Sequence, residues 1–298
     1  MTTIAHTLPV TSASAAKVRQ RSRHHVRRSI GYVLTVVVAL VFTAPILYLL
    51  IGSLKPPNQV LDGLGALTPK GLTLQNYSGV LDYFDNSATG RFSDFYLTSV
   101  TVSAVVVIGG LIVNSLAGYA LARLRWRGRK VALLAVIALV ILPFQAIAVP
   151  LYYMLNGDRD TLYVQFLPFI ASAFSVFLFY TFFAGMPKEL EEAASIDGAG
   201  PWRTLRYVIL PNAKPVFASV AILSFLSSWS MYLWPVMMVD QPSVSPLPLE
   251  IGVFQGQTVV NWGQVFAFGV LMVVPVVVVF LIFQRWFVQS LASSAIKG

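Results

Sequence analysis

The chain has 298 residues, of which 56% are hydrophobic and only 11% are charged, and its mean hydropathy is +0.72. Soluble domains carry about 25% charged residues, so this composition indicates an integral membrane protein. The chain contains no cysteine, which excludes disulfides, thiol nucleophiles and cysteine-ligated metals. Its three histidines, His6, His24 and His25, lie near the N-terminus, so the remainder offers none to a catalytic triad or a zinc site. We interpret the net charge of +9 as basic cytoplasmic loops rather than as nucleic-acid binding.

Residues 1–29 are rich in Ser, Thr and Ala and then become basic. This pattern predicts a disordered cytoplasmic tail whose basic end lies near the anionic inner leaflet. The apolar run that follows is longer than the core of a signal peptide, and no small-residue cleavage site follows it. We therefore interpret that run as a retained membrane span.

Six segments are long and apolar enough to cross a bilayer, because a span needs about 20 apolar residues. None of them contains Lys, Arg, Asp or Glu. They are Ile30–Leu54, Phe95–Ala122, Val131–Leu155, Thr161–Met186, Pro215–Val239 and Trp262–Phe283. The sequence thus predicts an all-α membrane protein with six transmembrane helices. Residues 30–94 hold the first helix and the first outer loop, and residues 95–298 hold the core domain.

The basic residues are distributed unequally between the two sides of these spans. With the N-terminus inside, the inner segments hold 17 of them and the outer loops hold four, which are Lys55, Lys70, Arg91 and Arg159. Because cytoplasmic loops carry an excess of Lys and Arg, we expect both termini to be cytoplasmic.

The chain shows no energy source of its own. Ion-coupled carriers usually place ionisable side chains along their path, and the six spans have none. No G-x-x-x-x-G-K-[ST] phosphate-binding loop occurs either, so ATP hydrolysis by that route is excluded. A transporter of this kind would depend on a separate ATPase. The alternative is a self-contained channel or an ion-coupled carrier that binds its ion through backbone carbonyls.

The segment Glu192–Pro211, EAASIDGAGPWRTLRYVILP, lies between the fourth and fifth predicted spans. Pro187 predicts the start of a short helix that runs into this segment, Asp197–Gly198 predicts the turn that ends it, and Pro201 predicts a second short helix. This helix-turn-helix either docks a partner or is an ordinary solvated loop with an interfacial helix.

The same segment resembles the EAA loop of the inner-membrane permease subunits of ABC importers. The resemblance is carried by E-A-A, by D-G-A and by a closing L-P pair, at Glu192, Ala193, Ala194, Asp197, Gly198, Ala199, Leu210 and Pro211. It implies that residues 187–214 form a coupling loop that contacts a separate ATPase subunit. Gly198 would make the turn of that loop.

Other motifs resemble the carbohydrate-uptake, maltose-permease-like branch of that family. They are Asn76–Tyr77, Ala120–Arg123 with Gly128–Arg129, Pro143, Pro150, Trp229 and the C-terminal residues 287–298. Ser290 and the pair Thr98–Ser99 depart from the branch, which usually has Gly and Asn-Ser there.

This resemblance implies a type I ABC importer transmembrane domain in the cell membrane of a prokaryote. The implied partners are a second homologous permease, two ATPase subunits that carry ATP and Mg, an extracytoplasmic binding protein and a carbohydrate substrate. It implies no catalytic residue, metal or cofactor on this chain.

Uncharged polar and aromatic residues within the spans suit a sugar, whose hydroxyls bind polar groups and whose ring faces stack on aromatic rings. The candidates are Asn114, Ser115, Gln145, Tyr180, Ser228, Trp229 and Tyr232. The alternative for each is helix–helix packing. An ABC permease for a non-sugar solute also stays open, because a partner subunit could supply the Arg or Lys that an anionic cargo favours.

The loop after the fifth predicted span carries Gln255, Gly256 and Gln257. The resemblance implies that such a loop tip contacts the binding protein. The alternative is an ordinary mobile loop.

Overall fold

The computed structural model describes residues 12–63, 65, 68, 71–86, 90–255 and 260–295. These ranges contain α-helices joined by short turns, and no strand occurs in them. The helices are α1 (Ser12–Ser53), α2 (Gln75–Asp85), α3 (Phe92–Ala122), α4 (Arg129–Ile141), α5 (Phe144–Leu155), α6 (Leu162–Ile170), α7 (Ala173–Ala184), α8 (Glu189–Ile196), α9 (Pro201–Thr204), α10 (Leu210–Asn212), α11 (Lys214–Trp229), α12 (Leu233–Met238), α13 (Gly252–Gln255) and α14 (Trp262–Ala295). A π-helical turn, Leu205–Ile209, joins α9 to α10.

Helix α1 begins at Ser12, whereas the sequence predicts a disordered tail over residues 1–29. Residues 12–29 are therefore helical, and residues 1–11 lie outside the described ranges. Ala, Arg, Lys and Gln, which together are frequent in this stretch, are good helix formers. The apolar helix that follows is already nucleated, so each residue added at its N-terminal end gains one backbone hydrogen bond.

Four segments are long and apolar enough to cross a bilayer as single helices or nearly straight pairs. They are Ile30–Ser53, Phe92–Ala122, Leu162–Ala184 and Trp262–Gln284. Two more reach that length only as bent pairs, Arg129–Ile141 with Phe144–Asp158 at 103° and Pro201–Asn212 with Lys214–Trp229 at 78°. The described residues thus contain four to six candidate spans.

The sequence predicts the third and fifth spans as continuous helices, whereas both are interrupted in the structure. Pro143 holds an extended backbone after Leu142 and separates α4 from α5, because proline disfavours helical angles at the residue before it. The fifth span stops at Trp229 and resumes at Leu233. Pro235 has no N–H for the carbonyl of Met231, which favours that break.

The fourth predicted span breaks between α6 and α7, and a side chain from α3 occupies the break. The Asn114 amide donates to the Ile170 carbonyl oxygen at 2.9 Å, and the Ser172 N–H donates to the Asn114 side-chain oxygen at 3.0 Å. Asn114 is 1% exposed. It therefore satisfies two backbone groups that the break would otherwise leave unpaired in an apolar environment.

Two hydrophobic clusters hold the bundle at its ends. The inner core joins the C-terminal ends of α3 and α7 to the π-turn and α11, through Tyr119, Ala122, Phe179, Phe183, Leu205, Ile209, Ala213, Val216 and Val220. The outer core joins α2, α3 and α14 to the end of α11, through Val80, Phe84, Phe95, Trp229, Leu247, Phe254, Ala267 and Phe268. By contrast, residues 30–47 of α1 are all exposed within this chain.

Candidate functional site

The coupling segment, residues 187–214, turns sharply after α8. Gly198 has φ +74°, its N–H donates to the Ser195 carbonyl at 3.0 Å, and the Ala199 N–H donates to the Ala194 carbonyl at 2.9 Å. This pair of bonds with a left-handed residue is the Schellman motif that ends helices. The turn lies where Asp197–Gly198 predicts it, because glycine adopts this conformation without strain.

The second half of the segment is fixed to the membrane domain. Leu205 and Ile209 of the π-turn are 3% and 0% exposed and pack in the inner core, and Ala213 follows them there. Pro201 begins α9 as the sequence predicts, and the Tyr119 hydroxyl donates to its carbonyl at 3.4 Å. One side of the segment is thus part of the core of the protein.

The other side of the segment faces away from the chain and carries large apolar side chains. Ile196, Trp202 and Tyr207 are 87%, 64% and 70% exposed. Apolar side chains exposed in this way are covered by a partner or, in an interfacial helix, by lipid. Of the residues predicted to couple, Ala194 is buried and Ala199 is half-buried, whereas the exposed ones are Glu192, Ala193, Asp197, Gly198 and Pro211.

Arg123 connects this segment to two membrane helices. It follows α3, and its guanidinium donates to the carbonyl oxygens of Phe183 at 2.9 Å and Met186 at 2.5 Å, at the end of α7. Its Nε also lies 3.5 Å from the Glu191 carboxylate on α8, and its side chain is 5% exposed. The sequence analysis used Arg123 only as part of a motif. The missed signal was an arginine directly after a span, where helix-end carbonyls need donors.

The residues predicted to line the substrate pathway have different surroundings in the structure. Asn114 fills the break between α6 and α7, and the Ser115 hydroxyl donates within its own helix to Ile112 at 3.1 Å. The Trp229 indole N–H donates to the Met272 carbonyl at 2.9 Å in the outer core. The contacts of these three residues match the alternative interpretation, in which they pack helices against one another. The remaining candidates are the exposed Gln145 and Tyr232, the half-buried Tyr180 and the buried Ser228.

Ser228 lines a cavity of about 300 Å³ between α5, α6, α7 and α11, which we call the serine cavity. Five hydroxyls line it, and they belong to Ser172, Ser175, Ser224, Ser227 and Ser228. Its other walls are apolar and aromatic, and no charged residue lines it. Ser224, Ser227 and Ser228 have the spacing i, i+3, i+4, which places them on one face of α11. The sequence analysis missed Ser224 and Ser227, although this spacing was visible.

A larger groove of about 690 Å³ lies between α3, α11 and α14. Apolar residues line nearly all of it, with Ser103 and Lys214 as exceptions. Trp229 lines this groove, whereas its neighbour Ser228 lines the serine cavity. The groove lacks the convergent polar groups that a ligand site needs for orientation, so the serine cavity is the better candidate.

Two carboxylates, in the loops that follow α5 and α12, lie in contrasting environments. Asp160 accepts hydrogen bonds from the N–H groups of Asp240 and Gln241 at 2.6 and 2.8 Å, which lowers its pKa. Glu250 is 8% exposed, and burial raises its pKa although the Ser245 hydroxyl donates to it at 2.5 Å.

Gln255 ends α13, whereas Gly256 and Gln257 lie outside the described residues. The contact with a binding protein therefore stays a prediction. Among the residues that the structure describes, no group of three or more His, Cys, Asp or Glu side chains could hold a metal ion.

The chain is similar to known membrane transport proteins. A family model described as "Binding-protein-dependent transport system inner membrane component" matches residues 110–293. The arabinooligosaccharides transport system permease protein AraQ of Halalkalibacterium halodurans is 30% identical over 265 residues, which cover 88% of this chain and 93% of the relative. The sn-glycerol-3-phosphate transport system permease protein UgpE of Brucella abortus is 27% identical and covers 89% of this chain and 96% of its own length.

The fold matches a solved structure as well. It is the crystal structure of a bacterial ABC transporter involved in the import of the acidic polysaccharide alginate. The superposition has a TM-score of 0.75 at 24% sequence identity and covers 94% of this chain and 100% of the other. The match supports an all-helical fold along almost the whole chain.

Proposed function

Because the chain belongs to the inner-membrane components of binding-protein-dependent transport systems, we propose that it is the permease subunit of an ATP-driven carbohydrate importer. The coupling segment carries the proposal. One of its sides is built into the inner core, and the other presents Ile196, Trp202 and Tyr207 to a partner. A segment arranged in this way can pass a partner's movement to the membrane helices.

The partner that fits this surface is a separate ATPase subunit, which holds ATP and Mg. Docking would bury the exposed residues of α8 and α9 and bring the ATPase against Gly198. Arg123 ties α8 to the ends of α3 and α7, and the inner core ties the π-turn to α11. Closure of the ATPase would then move these helices together and alternate the access of the pathway.

We assign six spans with both termini in the cytoplasm, in the inner cell membrane of a prokaryote. Four long helices and two bent pairs support the number, and the 17 inner against four outer basic residues support the orientation. In this orientation the coupling segment lies on the cytoplasmic side, where ATP is available.

The complete importer would contain a second homologous permease, two ATPase subunits and an extracytoplasmic binding protein. Residues 30–47 of α1, which are exposed throughout, give the surface for the second permease or for lipid. We propose that Gln255, Gly256 and Gln257, in the predicted outer loop, contact the binding protein.

A carbohydrate cargo is supported by the similarity to AraQ and by the neutral lining of the serine cavity. The alternative is an anionic solute such as the glycerol phosphate of UgpE. Such a cargo favours Arg or Lys in its path, and neither lines the serine cavity. A self-contained channel or ion-coupled carrier fits less well, because it leaves the exposed coupling segment without a role.

The test is purification of the chain from its native membrane in mild detergent, with identification of the bound proteins. The purified complex is then reconstituted in liposomes and assayed for ATP hydrolysis and for uptake of radiolabelled arabinotriose, trehalose, maltotriose and sn-glycerol 3-phosphate. We expect a bound ATPase and ATP-dependent uptake of a sugar. A chain that purifies alone, or flux without ATP, would contradict the proposal.

A matched pair of variants locates the docking surface. Ile196→Glu places a charge at the most exposed large apolar residue of the coupling segment, whereas Leu61→Glu changes a 56% exposed residue in an outer loop. We expect Ile196→Glu to release the ATPase from the complex and Leu61→Glu to retain it. Equal retention by both variants would place the docking surface elsewhere.

A further inference from the structure

The serines of α11 fall into two groups. A hydroxyl within a membrane helix commonly donates to a carbonyl of the preceding turn. Ser219 does so with Pro215 at 3.0 Å, and Ser230, just after α11, does so with Leu226 at 2.6 Å. The hydroxyls of Ser224 and Ser227 lie between these two and form no hydrogen bond with any described residue. They line the serine cavity instead.

The facing wall repeats this feature on another helix. Ser175, in the first turn of α7, is 4% exposed, and its hydroxyl forms no hydrogen bond with a described residue. It lines the same cavity, across from α11. Of these three serines only Ser175 is a buried residue, whereas Ser224 is half-buried and Ser227 is exposed. Two helices therefore present hydroxyls that have no hydrogen-bond partner among the described residues to one cavity.

The cavity has the size and chemistry of a small ligand site. Its volume of about 300 Å³ is at the lower end of the range for ligand pockets, about 300–1,000 Å³. Phe144, Phe169 and Phe174 provide apolar walls around the hydroxyls. Each serine can donate one hydrogen bond and accept two, which matches a sugar hydroxyl. With no charged lining residue, nothing in the cavity compensates the desolvation of an anion.

We propose that the serine cavity is a substrate subsite on this chain for one neutral sugar unit. Ser175 of α7 and Ser224 and Ser227 of α11 bind hydroxyls of the sugar, and Ser228 stays paired with Ser103 at 3.3 Å. The proposal rests on the importer function proposed above and adds where this subunit contacts the cargo.

The subsite is also connected to the coupling segment. The first turns of α11 carry Val216 and Val220, which pack in the inner core with Leu205 and Ile209. The later turns of the same helix carry Ser224 and Ser227. A shift of the coupling segment therefore displaces these two hydroxyls relative to Ser175 on α7, which changes how many of them a sugar can contact at once.

The first test compares two double variants in the reconstituted complex. Ser224→Ala/Ser227→Ala removes the two free hydroxyls, and Ser219→Ala/Ser230→Ala removes two that are already bonded within the chain. The readout is the number of sugar molecules imported per ATP hydrolysed, with the panel sugar that the parental complex imports. We expect this ratio to fall about tenfold in the first variant, since two hydrogen bonds of ordinary strength are lost, and to change less than about twofold in the control.

The second test uses the absence of native cysteine. Ser227→Cys in the intact complex should react with N-ethylmaleimide, and the imported sugar with binding protein and ATP should slow this reaction at least threefold. Ser219→Cys should be slow with or without sugar.

If the parental complex imports no sugar, the importer function itself fails. If it imports sugar while Ser224→Ala/Ser227→Ala transports normally, or while Ser227→Cys reacts equally fast with sugar present, the subsite is wrong and the importer function stands.

Discussion

The coupling segment and the serine cavity adjoin the same helix, α11, but they are held in opposite ways. Around the coupling segment the contacts are strong and specific: a buried guanidinium on two carbonyls and a carboxylate, and aromatic and aliphatic side chains that are almost fully buried. Around the cavity the polar groups are neutral hydroxyls, and three of them have no hydrogen-bond partner among the residues that the structure describes.

This difference fits two mechanical roles. A region that receives movement from a partner must transmit it without yielding, and buried charged contacts with tight packing resist deformation. A region that passes a solute must release it again, which favours several weak contacts over one strong contact. Helix α11 belongs to both regions. Movement of its rigid N-terminal half can therefore displace its C-terminal half, which binds the solute weakly.

Breaking the rigid side should have the largest effect. Arg123→Met leaves the Glu191 carboxylate without its counter-charge and the carbonyls of Phe183 and Met186 without their donor. We expect a loss of about 3 kcal/mol, the lower end for a broken buried pair, because the Glu191 side chain is 25% exposed. Thermal unfolding in detergent measures the loss.

The double variant Arg123→Met/Glu191→Leu tests whether the charges are coupled. It should recover part of the stability lost by Arg123→Met, since it removes the stranded carboxylate. Arg123→Lys should be intermediate, because an ammonium keeps the charge but lacks the planar array of donors. If the Arg123→Met protein unfolded at the same temperature as the parent, Arg123 would not contribute to the rigidity of this region.

The exposed side of the coupling segment is tested at Gly198. A Cβ there would meet no atom of this chain within 4 Å, so a steric loss arises at the docked partner. Gly198→Asn adopts the left-handed conformation at modest strain, whereas Gly198→Asp adds a negative charge beside Asp197 at the unfavourable end of α8. An unpaired charge in the interface should cost about 2 kcal/mol of docking, a factor of roughly 30.

Uptake is measured at matched amounts of membrane protein. We expect Gly198→Asp to abolish most ATP-dependent uptake while inserting normally, and Gly198→Asn to retain most of it. Normal uptake by Gly198→Asp would show that the turn does not lie in the docking interface.

These two regions also differ in how far the sequence reveals them. The turn at Asp197–Gly198 and the start of α9 at Pro201 depend on backbone preferences of adjacent residues, so the motif predicts them correctly. The contacts of Arg123 with Phe183 and Met186 join residues that are 60 and 63 positions apart, and no local pattern encodes them.

The serine cavity was only partly visible for the same reason. The spacing of Ser224, Ser227 and Ser228 marks one face of α11, but their position opposite Ser175 depends on how α7 packs against α11. The 103° bend at Pro143 and the break after Trp229 were not predicted, because a proline favours an interruption without fixing its angle. The positions of the spans can therefore be predicted from composition, whereas the shape of the pathway cannot.

A variant at Asn114 distinguishes a role in helix packing from a role in the substrate pathway. Asn114→Leu leaves the Ile170 carbonyl and the Ser172 N–H unpaired at the break between α6 and α7, so we expect a loss of about 1–2 kcal/mol. The adjacent Ser115→Ala is the matched control, with a loss under about 0.5 kcal/mol, since its hydroxyl bonds only within its own helix. Thermal unfolding measures both. Unchanged unfolding with altered sugar preference would instead place Asn114 in the pathway.

The smallest expected effect lies in the outer loops, away from both regions. Burial raises the folded-state pKa of Glu250 above its ordinary value of 4.5. The folded state therefore favours the protonated carboxyl, and its contribution to stability is lost as pH rises through the raised pKa. Glu250→Gln should raise stability at pH 7 by under about 1 kcal/mol, because glutamine is uncharged and keeps an oxygen for the Ser245 hydroxyl.

Measuring unfolding between pH 3 and pH 8 checks the sign. The gain from Glu250→Gln should disappear below about pH 4, where both folded and unfolded states of the parent are protonated. Asp160→Asn is the opposite control, since N–H donors lower the pKa of Asp160 below its ordinary value of 3.8. It should weaken the outer loops at neutral pH, and that difference should fade as the pH falls through the lowered pKa. If Glu250→Gln also destabilised at pH 7, the hydrogen bond from Ser245 to a charged carboxylate would outweigh the cost of burying it.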